Sequence, residues 1–588
     1  MSISSSTRLK PITITLSIIA VGILFQCSVD RENKIFEELV DSFFAEYIKF
    51  FPIQECGMGL QDCNDRFNNY SPEHISDIIT TFQSFERSIK TVDKNNLSSK
   101  DQVNYDLLIR QIDLILFENE KLQRWQYDAV FYTEKIHQAF VELLTCQHCR
   151  EQEKSTRLLK RLQALPGFIA QAKENLASNN VSNCQSATEE IENIKKIVYF
   201  YLPQELTTII PGVDSLNSMI EMAINSLESF ELFLKRKHDV KANEASFLTA
   251  ELYQNYLQLS LNADIDIQSL LQLISSDFQN HYDQMMSAAE QYLIKNGNFE
   301  NKKSSTNIIA LVDEELEKHT IQKQEIIPFC LDVVRDAKRF VNEIWNISLP
   351  IDFSVDFNWA QDELIPKQEI LYLQPPNLFQ TRKQFNCHLQ PIPGDKDWIH
   401  QLVFLRKFHK NAVTIEVILN ALVSHYKIWF NNSDKIPVLA KALPDQTFLN
   451  GWSYFLAFSM LENGYAGYDP ALNYVLLKKY CRMLFIAQLE IQHRLGPLSR
   501  KQMEGLLKSS SLFKKNEIDE LSRKITCFPG ESIITFWGYH QLTLLEQASR
   551  KKTGSQFNID FFLNHVLDLG PVPFSLVNKH VTQLFEDR

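Results

Sequence analysis

Apolar residues recur at spacings of three and four along most of this chain, and that rhythm admits few folds other than a body of packed helices. Ile35, Phe36, Leu39, Val40, Phe43, Phe44, Tyr47 and Ile48 form one such stripe, the pattern of a helix that buries one face. The same spacing predicts further helices near 72–92, 99–122, 151–176, 186–204, 208–236, 245–261 and 264–296, with short turns between them and no fixed-period repeat that would make a solenoid. The chain has 588 residues, 44% of them hydrophobic, enough to bury a large core. It has only 16 glycines and 20 prolines, and no Gly/Ser or Pro tract provides a long linker. The expected fold is mainly α.

A polar, breaker-rich segment at 297–306 divides an expected N-terminal all-helical region, 27–300, from a C-terminal region, 301–588. Helices are predicted near 307–319 and 323–345. The run Ile351-Asp352-Phe353-Ser354-Val355-Asp356-Phe357 then alternates with period two, which is strand spacing. Glu369 to Leu373 reads as a second strand before Pro375-Pro376, so a small sheet is expected near 349–375. Helices return from about 399, at 413–430, 447–463, 470–494, 499–508, 515–524, 531–551 and 557–567.

Arg8 and Lys10 precede an apolar run from Pro11 to Phe25, and Leu24-Phe25-Gln26-Cys27 follows where a lipoprotein leader is cut and its cysteine acylated. Residues 1–26 are therefore expected to be a signal peptide. Cys27 would then carry the lipid that holds the protein at the periplasmic or extracytoplasmic face of a membrane in the cell envelope. Gln26 stands where such boxes carry a small residue, so an uncleaved signal anchor or a plain secretory signal remain alternatives. The net charge of −12 disfavours a nucleic-acid partner. Of the ten cysteines, Cys56 with Cys63 and Cys146 with Cys149 are close enough in sequence to pair in an oxidising compartment. Cys146-Gln147-His148-Cys149 could also seed a zinc site, but it lacks a second cluster at metal spacing, and a structural helix end is the expectation.

Several short patterns occur in one order along the chain. Phe51-Pro52 leads to Gly57-Met58-Gly59 and Tyr70-Ser71-Pro72-Glu73, and Phe340-Val341-Asn342-Glu343 runs into Leu349-Pro350. Then come Leu419-Asn420-Ala421-Leu422-Val423-Ser424-His425-Tyr426, Asn450-Gly451-Trp452, Arg482 with His493, Pro529-Gly530-Glu531-Ser532 with Gly538, and Phe561-Phe562-Leu563 through Leu569-Gly570-Pro571-Val572-Pro573. In this order and spacing the chain resembles the bacterial domain of unknown function family 885. That family is read as zinc-dependent peptidases, with His-Glu-x-x-Pro-Gly-His on a helix followed by Glu-Gly-Trp-x-x-Tyr-x-Glu. The likeness runs through nearly the whole chain after the leader.

The resemblance also exposes what is missing. A hydrolytic zinc needs three protein ligands, an open position for water and a base to take the proton. With His425 placed on the family's second histidine, Leu419 falls on the first and Asn420 on the catalytic glutamate. Asn450 replaces the glutamate of Glu-Gly-Trp, and Ala457 the glutamate seven residues later. Leucine cannot bind zinc, and a neutral amide cannot accept a proton from water. No His-Glu-x-x-His occurs anywhere in the chain. Glu416, the carboxylate nearest this motif, lies nine residues from His425, about 180° around a continuous helix.

Thr535 stands where the family has tyrosine, a donor to a developing oxyanion, and Leu489 where it has aspartate. Arg482, His493, Tyr539 and His540, with Trp452, are candidates for a residual polar cleft, against their plainer reading as helix-packing residues; Trp452, Tyr454 and Phe455 read as core. Asp313-Glu314-Glu315 reads as solvated charge on a helix face. There is no Gly-x-Ser-x-Gly elbow and no Gly-rich phosphate loop. The expectation is a non-catalytic, metallopeptidase-like member without a cofactor, whose partners are a peptide or another envelope protein. The alternatives are an active zinc peptidase with a site rebuilt from His425, His493, His540 and a nearby carboxylate, and a structural or interaction lipoprotein whose cleft takes no ligand.

Overall fold

The computed structural model describes the chain apart from residues 1–11, 58–64, 147–148, 178–180, 208, 211, 240–247, 298–304, 346–353, 361–369, 374–383, 393–396, 423–425, 427–429, 431–432, 434–435, 497, 528–529 and 587–588. For 12–30, 55–57, 213, 238–239, 305–307, 384, 422 and 585–586 it describes the backbone alone. Cys63, His425 and most of the 297–306 boundary thus lie outside the described residues, as do the side chains of Cys27 and Cys56.

The fold is mainly α. Helix Ile12–Phe50 runs unbroken from the predicted leader into the first amphipathic stripe. Among the described residues no helix is long and apolar enough to cross a membrane. Ser71 starts helix Pro72–Ile89 by accepting the His74 amide hydrogen at 3.3 Å, with Pro72 in the first turn, where a missing N–H costs nothing. Two predicted helices continue past their regular part through π-turns, at Phe117–Leu122 and Ile197–Tyr201. Helix Ala129–Leu144 was not predicted. Ala129, Val130, Phe131, Tyr132 and Thr133 are all buried, so that helix starts with no polar face to give it a period. Helix Phe574–Glu586 was not predicted either.

The sheet has three strands: β1, Ser354–Trp359; β2, Leu371–Leu373; and β3, Gln384–Leu389. β3 extends the sheet beyond the predicted 349–375. It lies in the middle, parallel to β1 with Val355 opposite Phe385, and antiparallel to β2 with Leu371 opposite Leu389. Phe385, Cys387 and Leu389 face inward on alternate positions, the period-two signal of a half-buried strand.

Two apolar clusters hold the body together. One runs from Phe36 to Val581 through helices of both halves of the chain; the other joins the sheet to Ile326, Cys330 and Val333 of helix Lys323–Trp345. Cys146 and Cys149 form a disulfide at the end of helix Ala129–Leu144, while Cys184, Cys330, Cys387, Cys481 and Cys527 are buried free thiols. Asp313 is not solvated charge. It accepts the Tyr474 hydroxyl at 3.0 Å and pairs with Lys478, tying helix Ser305–Glu317 to Pro470–Leu495.

Candidate functional site

The helix bearing the first motif is capped by His409, whose Nδ1 accepts the Ala412 amide hydrogen at 3.3 Å. It runs through Lys410–Val417 and widens into a π-turn at Ile418–Leu422. Its apolar faces go to different places: Val413, Val417 and Ala421 pack on the sheet, while Ile415, Ile418 and Leu419 join the helical core. A helix buried on both sides has little room for charge.

Glu416 is the exception on this helix. Its buried carboxylate accepts the Asn420 amide at 3.2 Å and pairs with Lys479 Nζ at 2.5 Å. Asn420 Nδ2 also reaches the Glu416 carbonyl at 3.1 Å. Asn420 is therefore a donor to a structural carboxylate. The π-turn adds a residue to the helical path. A constant step of about 100° per residue, which sets Glu416 opposite position 425, therefore does not hold through Ile418–Leu422.

Lys479 is the cation paired with the buried Glu416 carboxylate. Removing one partner of a buried pair leaves an uncompensated charge, at about 3–5 kcal/mol when both are fully buried. Lys479 is 35% exposed, so Lys479→Met is expected to cost roughly 2 kcal/mol. Adding Glu416→Gln should recover most of the loss. Thermal unfolding of the two variants checks this, and equal losses in both would contradict it.

The second motif lies on helix Gln446–Glu462. Asp445 caps that helix by accepting the Phe448 amide hydrogen at 2.8 Å, pairs with Arg110, and donates its own N–H to the Pro571 carbonyl at 2.9 Å. Asn450 is half-buried, and its carbonyl accepts the Ser453 hydroxyl at 2.7 Å. Ala457 is fully buried in the helical core. Trp452 is core: it stacks on Phe448 at 6.1 Å and meets Tyr426 edge-on at 5.5 Å. The Trp452 indole N–H and the Tyr426 hydroxyl are both buried without a hydrogen-bond partner among the described residues. Gly451 and Gly538 mark where this helix crosses helix Glu531–Thr553, and a Cβ added to Gly538 would lie 2.9 Å from the Gly451 Cα.

A zinc ion does not fit this donor set. Leu419 and Ala457 have no ligating atom, and Asn420 is engaged by Glu416. Among the described residues no three His, Cys, Asp or Glu side chains gather as a ligand set.

The cleft candidates have separate environments. Arg482 makes two 2.9 Å contacts to Glu517, donates to the Leu512 carbonyl at 2.8 Å and lies over Phe513. His493 Nδ1 meets the Leu498 carbonyl at 2.8 Å. His540 stacks on Phe536 at 5.4 Å, and burial holds its pKa below the usual imidazole value. Thr535 donates to the Glu531 carbonyl of its own helix at 3.0 Å.

Tyr539 belongs to a buried polar group that the sequence reading missed. Its ring packs 4.9 Å from Tyr480, whose hydroxyl donates to Asp277 at 2.8 Å; Asp277 also lies 3.3 Å from His281 Nδ1. Burial disfavours the His281 cation, but the Asp277 carboxylate outweighs it and the pKa is raised. The spacing of Asp277 and His281, four apart on helix Ile267–Lys295, was the available signal.

Comparison with known proteins bears on the scaffold. A family model described as bacterial protein of unknown function, DUF885, matches residues 52–581. A solved structure of a putative lipoprotein of unknown function from Shewanella oneidensis superposes with a TM-score of 0.77 at 16% identity, covering 92% of this chain and 99% of that one. A putative lipoprotein from Colwellia psychrerythraea superposes with a TM-score of 0.75 at 11% identity, covering 95% of this chain and 100% of that one. At these identities the likeness is one of fold. No curated protein matches the chain.

Proposed function

The chain belongs to the bacterial DUF885 family, and from that premise we propose that it is an exported, envelope-tethered member that binds a partner and catalyses nothing. One observation carries the reading: the carboxylate nearest the first motif, Glu416, is held by Asn420 and Lys479, while Leu419 and Ala457 fill the neighbouring positions with apolar packing. Hydrolysis at this place would need a base and ligands that these residues do not supply. The lipobox-like Cys27 and the lipoprotein descriptions of both structural neighbours support the tether.

Between capture of a peptide at the vestigial site and an interaction role elsewhere, the packing favours the second. Leu419, Tyr426 and Trp452 are buried against other side chains of the helical core. Helix Trp398–Leu405, by contrast, exposes Trp398 at 69% together with Ile399, Leu402 and Val403 on one side, an apolar patch of the kind that interaction surfaces carry.

Elemental analysis and a peptidase assay test the proposal. The purified protein is expected to hold substoichiometric zinc and to cleave unstructured peptides no faster than buffer, with or without a chelator. Stoichiometric zinc with chelator-sensitive cleavage would overturn it in favour of a zinc peptidase with a rebuilt site.

A further inference from the structure

Away from the motif positions, a groove of about 1090 Å³ opens between helices Ser99–Leu116 and Ala250–Leu261, closed at one end by the 573–576 segment. None of the family-motif positions discussed above for metal or base lines it. Each wall is a single helical stripe. Asp106, Ile109 and Asp113 fall at intervals of three and four on one side, and Leu252, Asn255 and Leu259 on the other. Each wall thus carries both apolar and polar side chains.

The charges lining the groove are unevenly satisfied. Arg110 is engaged outside it, pairing with Asp445 and donating to the Ser260 carbonyl at 2.7 Å. Asp106 is neutralised by Lys94 at 2.6 Å. Half-buried Asp113 and exposed Glu251 and Asn255 line the groove without a side-chain hydrogen bond or ion pair among the described residues; Asp264 and the exposed cation Lys121 line it with them, so carboxylates remain in excess. Burial, and secondarily the Glu86 carboxylate, push the Asp113 carboxyl above its usual range against the smaller opposing pull of Lys90. An arriving cation would relieve both effects.

Size selects among cationic ligands. From Glu251 to Asn262 the wall rises 1.5 Å per residue, or roughly 16 Å, which matches about five residues of extended chain at 3.3 Å each. The Asn255 carboxamide can donate to and accept from one peptide unit, whereas a simple cation would use only its oxygen.

We propose that this groove binds an extended peptide segment carrying a basic residue, with Asp113 and Glu251 receiving the cation and Asn255 reading the backbone. The partner is then a protein whose exposed strand or tail bears lysine or arginine. This inference does not rest on the absence of zinc chemistry: the groove could be occupied whether or not the protein cleaves peptides, so its failure and the failure of the preceding proposal read out separately.

Fluorescence anisotropy on the full chain tests it. The probes are a labelled dodecapeptide with a central lysine in an alanine–serine background, and the same peptide with glutamate in place of lysine. The lysine peptide is expected to bind, more weakly as salt rises, and the glutamate peptide is not. Asp113→Lys with Glu251→Lys should weaken binding at least about tenfold with unchanged thermal unfolding. If that pair of changes lowers stability, Asp113→Asn with Glu251→Gln replaces it and should weaken binding in the same direction. Asn255→Ala should weaken the peptide but not spermidine. Absence of lysine-peptide binding, binding indifferent to the charge changes, or spermidine competing as well as the peptide at equal charge would each overturn the assignment.

Discussion

Replacing Gly538 with alanine is expected to disrupt the central helix packing more than any other single-methyl change argued from this structure. The added Cβ would collide with the carbonyl oxygen of Thr447 and lie 2.9 Å from the Gly451 Cα. Both obstacles are backbone, so no side-chain rotation relieves them. The two helices must move apart, and the layer around Trp452, Phe455 and Phe536 loosens with them. Overpacking of a tight core costs about 1–3 kcal/mol even where side chains can adjust; here a loss of at least roughly 3 kcal/mol is expected. Gly451→Ala should behave alike, because its Cβ would meet the Gly538 backbone. Gly505 is the control. It sits inside helix Arg500–Ser509 with nothing within 4 Å of an added Cβ, so Gly505→Ala should stabilise by about 0.5–1 kcal/mol through helix propensity. Thermal unfolding followed by circular dichroism compares the three. A Gly538→Ala protein as stable as Gly505→Ala would show that these helices do not cross as described.

Glu490 carries the second large effect. Its buried carboxyl accepts the Tyr253 hydroxyl and, at 2.7 Å, the Gly530 amide hydrogen, joining helix Ala250–Leu261 to the start of helix Glu531–Thr553. Gly530 is suited to this place because its φ of +99° is one that side-chain-bearing residues rarely adopt. Burial raises the Glu490 pKa to about 7 against the opposing pull of Tyr253, Arg494 and Gly530.

The sign of the pH dependence follows from that rise. Between the ordinary carboxyl value of 4.5 and about 7, the unfolded chain has lost a proton that the folded chain keeps. Stability therefore falls as pH rises through this window and levels off above it, by an amount on the order of 3 kcal/mol. Glu490→Gln keeps an acceptor and removes the charge, so it should flatten part of this slope and be the more stable protein at pH 8. It should not flatten all of it, since burial also lifts Glu134, beside Arg124, to about 7. Glu490→Ala strands the Tyr253 hydroxyl and the Gly530 N–H, and a loss of about 2–4 kcal/mol is expected at every pH. Melting temperatures from pH 4 to 8 separate these outcomes. An unchanged slope in Glu490→Gln would assign the pH dependence to other groups.

Both effects bear on how the family-like motifs should be understood. Gly451-Trp452, Gly538 and Gly530 belong to the family-like patterns, and each has a packing reason to be what it is. Gly451 and Gly538 allow a helix crossing, Trp452 fills the space beside it, and Gly530 feeds its N–H to Glu490. Stability alone gives a chain reason to keep motifs of this type.

Much of the architecture was legible locally. Helices Pro72–Ile89, Glu151–Ala177, Lys323–Trp345 and Gln446–Glu462 lie close to the spans that apolar spacing predicts, because each buries one stripe or a continuous apolar run. Helix Ala129–Leu144 escaped because its first turns are buried on every side and show no period. β3 alternates polar and apolar residues but is only six residues long, and its parallel partner β1 is thirty positions away in register. The motif helix shows a further limit. The π-turn at Ile418–Leu422 changes which residues share a face, and no constant angular step anticipates it.

The sequence by itself determined the helical class, the family, and which residue types stand at 419, 420, 450 and 457, since all of these are matters of residue type and near-neighbour spacing. Only the tertiary structure decided what occupies those places. Glu416 finds Lys479 across 63 positions, Tyr253 finds Glu490 across 237, and the groove joins walls that lie some 140 residues apart. Local periodicity records which face of an element is buried, but the partner it is buried against is set by the packing of the whole chain. Which positions are packed shut, and where the groove opens, belong to that second level.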